Sequence, residues 1–527
     1  MKHTAYIFGT SPLAAAIRQQ MEERGWNTVL TSVASLTVNS GDRLMVVSDN
    51  DSLALQLVTD LAHRISDSQP QMEDKTRTLL VLQDELTLRV LRESDFPSFV
   101  TDVLDIDAVT NEGMWAERVL CSLPVDGQES FPPLDREPML KECSRRVMFV
   151  VDGMNQMAQV MACTAALVSH YPNYVRDAHL STRIVMVHPD MMRLGTEFRR
   201  SHAPLFACSR YRVTDLSSTR PQVVEVHQPE LASGCSPFVD VEWEFVCGTL
   251  DHPAIRAKLD HWAASPKWLL SLALCEGSDE TLLARAMNLP ENVRTHACTT
   301  YVRQHDGTRV GTLRSSPRWQ HLHAFGMADS IFDALMPRVE LARMLNAFYS
   351  PAAGGKGFPY NLQPDAIRQA WYAIPSPALR NSNVCNVLTF PSKMRSVGHS
   401  NANPHTFYAL SESEVKVLSE VEHNRWSLER LMAGFRPPTS EEREAIKDNI
   451  LAHIEARRNG TECPAVDLKK RMKNEQCVHY DLCAYSELSV DASGRDVRDY
   501  DDELIACIPV IMEQWREMLS NEFESGN

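Results

Sequence analysis

Short apolar runs of strand length recur along the first two-thirds of the chain, each followed by a stretch with helical spacing. Residues 5–8 (AYIF) read as a buried strand that feeds Gly9-Thr10-Ser11-Pro12-Leu13-Ala14 and then a helix to about Gly25. Asn27 to Leu30, Leu44 to Ser48, Thr78 to Leu82 and Val103 to Ile106 continue as strands, with a helix over Ser52 to Arg64. The pattern restarts at Arg146 to Val151 (RVMFVV), passes through Asp152-Gly153-Met154-Asn155 and enters an apolar helix ending near His170. Further strands are expected at Thr182 to Val187, Val223 to Val226, Val241 to Val246, Trp268 to Leu274 and Thr299 to Arg303. Alternating strands and helices predict an α/β fold with mostly parallel sheets covered on both faces. Two tandem Rossmann-like parallel-sheet units are expected, followed by a small, mainly α-helical domain.

Breakers set the boundaries. Ser122 to Pro138 carries Pro124, Gly127, Pro132, Pro133 and Pro138, which predicts a linker over 124–140 between a first unit at 1–123 and a second at 141–350. After a helix over Ser330 to Tyr349, Gly354-Gly355-Lys356-Gly357, flanked by Pro351 and Pro359, opens a connecting segment at 351–408. In the last region, 409–520, Ser411 and Glu414 have capping-box spacing ahead of Val415, Leu418, Val421, Leu428 and Leu431. Gly434 and Pro437-Pro438 stop that helix.

Length agrees with this division, since a 527-residue chain exceeds one hydrophobic core. The net charge of −16 opposes a polyanion and so argues against general nucleic-acid binding. No secretory-signal pattern opens the chain, and no uninterrupted apolar run reaches the length of a membrane span, so a cytoplasmic protein without membrane insertion is expected. Thirteen scattered cysteines, an odd number, then read as reduced thiols.

Two turns invite a phosphate, because a strand, a glycine and a helix N-terminus together present backbone N–H groups to an anion. Both depart from the dinucleotide fingerprint: Ser11 and Asn155 replace its second glycine, Ala14 and Ala158 its third. The candidate nucleotide-binding residues are Gly9, Ser11, Gly153, Asn155 and Asp190, the last a ribose-binding acid that lies farther along than the usual ~20 residues. An adenine nucleotide or NAD(P) is the cofactor such turns would take; plain strand-to-helix turns are the alternative. Cys463, Cys477, His479 and Cys483 lack a C-x-x-C pair, so no metal site is expected. No triad or P-loop pattern names a catalytic residue.

The densest polar constellation is Glu422-His423-Asn424-Arg425-Trp426, continuing to Glu429-Arg430 and Gly434-Phe435. On a helix His423 and Trp426 are neighbours, and Glu422, Arg425 and Glu429 share a stripe. An indole beside a cation can hold a flat ligand, or the same residues can fill a helical core.

Here the chain resembles the ryanodine-receptor (RyR) repeat, whose pattern is L-A-x-x-x-H-N-x-W, then G-W or G-F, then P-Y-x-x-L and a charged closing helix. The matching pieces are Leu418 to Trp426, Gly434-Phe435, Ala484-Tyr485-Ser486-Glu487-Leu488 and Arg498-Asp499. Ala484, Phe435 and a long insertion between Pro438 and Val478 depart from it. Upstream, Trp371, Leu379 to Asn383, His323 to Gly326, Leu341 to Arg343 and Tyr349 look like bacterial proteins that join potassium-uptake-regulator (TrkA-N) nucleotide-binding domains to an RyR repeat. The resemblance implies a cytoplasmic regulatory protein that senses a nucleotide-derived small ligand, with His423, Asn424, Arg425, Trp426, Arg430, Tyr485 and Arg498 as its RyR ligand set. Receptor repeats occur in pairs and this chain has one, which implies a homo-oligomer. The competing readings are an NAD(P)-dependent oxidoreductase using the Gly153 turn and a ligand-free interaction scaffold.

Overall fold

In a computed structural model, residues 3–23, 25–68, 74–94, 96–121, 131–216, 221–229, 236–295, 298–328, 335–353, 357, 359, 361–399 and 409–525 are described. The first sheet holds β1 (Thr4–Phe8), β2 (Asn27–Leu30), β3 (Arg43–Val47), β4 (Thr76–Leu82) and β5 (Leu104–Thr110). All its pairings are parallel, in the order β2-β1-β3-β4-β5, one of the two common doubly wound arrangements. The second sheet holds β6 (Arg146–Asp152), β7 (Thr182–His188), β8 (Tyr211–Asp215), β9 (Gln222–His227), β10 (Val241–Cys247), β11 (Trp268–Leu274), β12 (Thr299–Arg303) and β13 (Leu322–Phe325). Its order is β13-β12-β11-β6-β7-β10-β8-β9, parallel except for β8 with β9. The α/β expectation holds. β8 and β13 were not anticipated, because YRVTD and LHAF place too few apolar residues in a row to stand out.

The two sheets share a core. Ile7, Met45, Val47, Val81 and Val109 from one, and Val147, Phe149, Val151, Ile184 and Met186 from the other, belong to a single buried cluster. The helices Asn111–Leu120 and Gln156–Val168 pack together inside it. The expected linker is part of this packing where it is described: Leu134 and Met139 are buried in the same cluster, and Tyr301 donates to the Pro132 carbonyl at 2.6 Å. Prolines interrupt regular structure there, but the apolar side chains between them still leave water. Pro124 and Gly127 lie outside the described residues.

A helical body closes the chain. The helix Leu335–Ala353, expected within the second unit, packs instead on Arg498–Ser525 and Pro377–Val387. Leu341, Leu345, Phe348, Trp371, Phe390, Leu418, Ile505 and Ile508 form its core. The expected connecting segment likewise contains three helices, Pro364–Tyr372, Pro377–Val387 and Phe390–Ser396; Gly354 to Lys356 lie outside the described residues. Among the described residues no helix is long and apolar enough to cross a membrane.

Charge pins this body to the first sheet. Asp105 and Asp107 are two apart on edge strand β5 and therefore share a face. Arg338, only 2% exposed, donates to both Asp107 oxygens at 2.9 and 3.1 Å and to both Glu117 oxygens at 2.8 Å. Arg343 pairs with Asp105, and Arg77 with Glu340 at 2.6 Å. Leaving a buried charge unpartnered typically destabilises by about 3–5 kcal/mol. Arg338→Met is therefore expected to lower the thermal unfolding temperature by several degrees in calorimetry; an unchanged transition would mean that this contact does not hold the units together.

Candidate functional site

The helix Glu412–Met432 begins as expected, with reciprocal bonds between Ser411 and Glu414, and ends two residues before Gly434, whose φ of +89° suits glycine. It is buried nearly all round, so its polar side chains must find partners inside the protein. Arg425, 1% exposed, donates to Glu422 at 2.8 and 2.9 Å and to Glu429 at 2.7 Å. Lys393 donates to Glu422 at 2.6 Å and to Asn386 at 2.9 Å, while Asn386 donates to Glu422 at 2.9 Å. Burial opposes charge on Glu422, yet Arg425 and Lys393 outweigh it and hold the carboxyl down to about 2. Burial pulls Lys393 down to about 8 even though Glu422 favours its proton.

His423 lies on the other side of this helix. Its Nε2 faces the Cys483 carbonyl at 3.0 Å and its Nδ1 lies 3.7 Å from Asp501. Burial disfavours the imidazolium, but the Asp501 carboxylate raises its pKa above the ordinary histidine value. Trp426 stacks on His423 at 5.6 Å and meets His479 edge-on at 4.7 Å; Tyr485 is tilted against His423 at 5.7 Å. His423 and His479 are buried, and Trp426 and Tyr485 are half-buried beside them. Asn424 is buried too, and Arg498 pairs with its neighbour Asp496 at 2.6 Å. The expected RyR ligand set is thus divided: His423, Trp426 and Tyr485 cluster, Arg425 is sealed in the ion network, Arg498 stands apart, and Arg430 lines a cavity.

That cavity, about 480 Å³, lies where the parts of the chain meet. Small-molecule sites usually span about 300–1,000 Å³. Glu85, Arg89 and Arg92 come from the helix Glu85–Glu93, Gln159 and Cys163 from the helix Gln156–Val168, and Phe198 and His202 from farther along the second unit. Asn381, Val384 and Cys385 come from the helical body, and Arg430, Met432 and Phe435 from the end of the helix Glu412–Met432 and the turn after it. Arg430 pairs with Glu429, its guanidinium sits 5.6 Å from the Phe435 ring, and its buried Nε has no hydrogen-bond partner. Glu85 is raised by burial, against the pull of Arg92 and a hydrogen bond from Thr110. Burial pushes the Cys163 and Cys385 thiols up to about 12, which makes them poor nucleophiles.

The protein's own atoms come close at both glycine turns. A Cβ on Gly9 would lie 1.9 Å from the Val47 carbonyl oxygen, so this glycine lets β1 and β3 approach. Ser11 Oγ accepts from Ala14 N at 3.2 Å as a helix cap. At Gly153 the Glu276 carboxylate accepts from Met154 N at 2.7 Å and Asn155 N at 3.1 Å, taking up donors that a phosphate would need. Asn155 caps the helix through Ala158 N at 3.0 Å and donates to the Cys275 carbonyl at 3.0 Å. Asp190 is an exposed partner of Arg193 at 2.7 Å. Among the described residues no group of His, Cys, Asp and Glu is arranged to hold a metal ion.

Arg89 and Arg92 were missed, although Glu85, Arg89 and Arg92 follow at helical spacing and so announce a polar stripe. Their destination depends on segments hundreds of residues away, and no local pattern carries that. The geometry defines a doubly wound α/β protein with a ligand-sized cavity between its parts. Compared with protein families, curated proteins and solved structures, the chain has no match.

The ion network has a pH signature. Because the folded pKa of Glu422 is about 2, below its unfolded value, its stabilisation is present above about pH 5 and lost as the pH falls towards 2. Glu422→Gln should therefore melt well below the wild type at neutral pH, and thermal denaturation should find the gap narrowing between about pH 5 and 3. A gap independent of pH would contradict the assignment.

Proposed function

We propose that the protein is a regulatory sensor in which a nucleotide-derived small molecule binds the 480 Å³ cavity and sets the contacts between the sheet units and the helical body. The observation that carries this reading is the composition of the wall: both sheet units, the helical body and the end of the RyR-like helix each contribute side chains. A ligand there stabilises one relative arrangement of these parts by the difference in its affinity for them. Phe198, Phe435, Val160 and Leu167 offer apolar surface for a flat ring, while Arg89, Arg92 and Arg430 supply cations and Gln159 an amide. In this reading the RyR-like helix works through Arg430 and Phe435, and the His423–Trp426 cluster holds it in place.

The oxidoreductase alternative needs a pyrophosphate at the Gly153 turn, and Glu276 would have to leave first. A thermal-shift panel of adenosine, AMP, ADP-ribose, NADPH and cyclic dinucleotides tests the proposal. At least one nucleotide is expected to raise the transition, corresponding to about 2.7 kcal/mol at a hundred times its Kd. Phe435→Ala and Gln159→Leu should diminish the shift, and Asp190→Ala should leave it intact. A flat response across the panel, or a shift that Asp190→Ala abolishes, would overturn the reading.

A further inference from the structure

A second, smaller cavity of about 110 Å³ adjoins the first. Arg92, Asn381 and Val384 line both, so the two are neighbouring compartments along one wall. The smaller one is set between edge strand β5 and the helices Leu335–Ala353, Pro364–Tyr372 and Pro377–Val387. Four arginines line it, Arg92, Arg338, Arg343 and Arg380, against two carboxylates, Asp105 and Asp107. Arg338 and Arg343 already hold those carboxylates. Among the described residues neither Arg92 nor Arg380 has a carboxylate within ion-pair distance, and Arg380 instead lies 5.9 Å over the Trp371 ring. The buried Nε atoms of Arg338, Arg343 and Arg380 have no hydrogen-bond partner, and Arg338 and Arg343 are only 2% and 4% exposed.

Buried donors without acceptors are costly, and while Asp107, Glu117, Asp105 and Glu340 take up Arg338 and Arg343, the cations of Arg92 and Arg380 stay open to an anion. The compartment's lining is of the kind that suits a phosphate, because guanidinium groups bind phosphoryl oxygens through paired N–H donors.

We infer that this annex is the phosphoryl subsite of the ligand, receiving a phosphate ester or pyrophosphate while the ring system occupies the larger cavity. The inference rests on the proposed ligand cavity and adds where its anionic end lies. It assigns Arg92 and Arg380 as the residues that distinguish a nucleotide from the corresponding nucleoside.

Inorganic pyrophosphate probes the annex independently of any ring. In thermal-shift measurements on the full chain, millimolar pyrophosphate should raise the transition above that in sodium chloride of equal ionic strength. Arg380→Gln and Arg92→Met should each lose most of that shift, with Arg380→Lys retaining part of it; Phe435→Ala, in the larger cavity, should keep it. Arg380 and Arg92 are half-buried without ion-pair partners, so unliganded transitions close to the wild type are expected and are recorded in the same experiment. No shift with pyrophosphate, or an equal shift in the wild type and both arginine variants, would overturn the subsite. If that happens while a nucleoside still stabilises the wild type through Phe435, the larger cavity stands and the annex alone falls.

Discussion

A guanidinium at 1% exposure is tolerable only when its donors meet carboxylates, and Arg425 meets two. That requirement governs the placement of the whole Glu412–Met432 helix. Glu422 brings in Lys393 and Asn386, Glu429 brings in Ser382 at 3.1 Å, and all three partners belong to the upstream helices of the helical body. The helix therefore presents its charged stripe to protein and its far end, Arg430 to Phe435, to the cavity. A second set of buried pairs, Arg338 with Asp107 and Glu117, and Arg343 with Asp105, fixes the same body on the first sheet. Charges placed in this way add directional constraint more than net stability, since apolar residues could fill the space as well. They set how the parts meet, and so shape the cavity between them.

The glycine turns follow a different logic. Doubly wound sheets usually bind ligands beyond the strand ends where strand order reverses, which here means beside β1 in the first sheet and β6 in the second. At β1 the Val47 carbonyl comes too close to Gly9 for a side chain, and at β6 Glu276 occupies the helix N-terminus. At the Gly153 turn the scaffold keeps its geometry while the anion position is taken up internally. Ligand recognition in this chain is accordingly proposed at the seams between units, where Arg89, Arg92 and Arg430 converge.

Strand-length apolar runs made the α/β architecture legible, and the capping box at Ser411 and Glu414 marked a helix start that the structure reproduces. Local signals of this kind report burial and backbone geometry, and they did so for Gly9, Gly153 and Gly434 alike. They were silent on whether Arg425 or Arg430 faces a ligand, because both lie on one helix and only the packing of Lys393, Asn386 and Phe435 separates them. Asp105 and Asp107 are acids within a strand whose partners no local pattern names; Arg338 and Arg343 reach them from more than 200 residues away. In the linker expected over 124–140, proline content speaks of backbone conformation and says nothing of Leu134 and Met139, which are buried.

The ligand site proposed for this chain is assembled from separate parts of it, and hydrogen–deuterium exchange with and without the tightest-binding nucleotide examines that assembly. Concerted protection is expected in the helix Glu85–Glu93, the helix Gln156–Val168, the helix Pro377–Val387 and residues 429–435. Protection confined to the turn after Gly153, with those four segments unchanged, would contradict it.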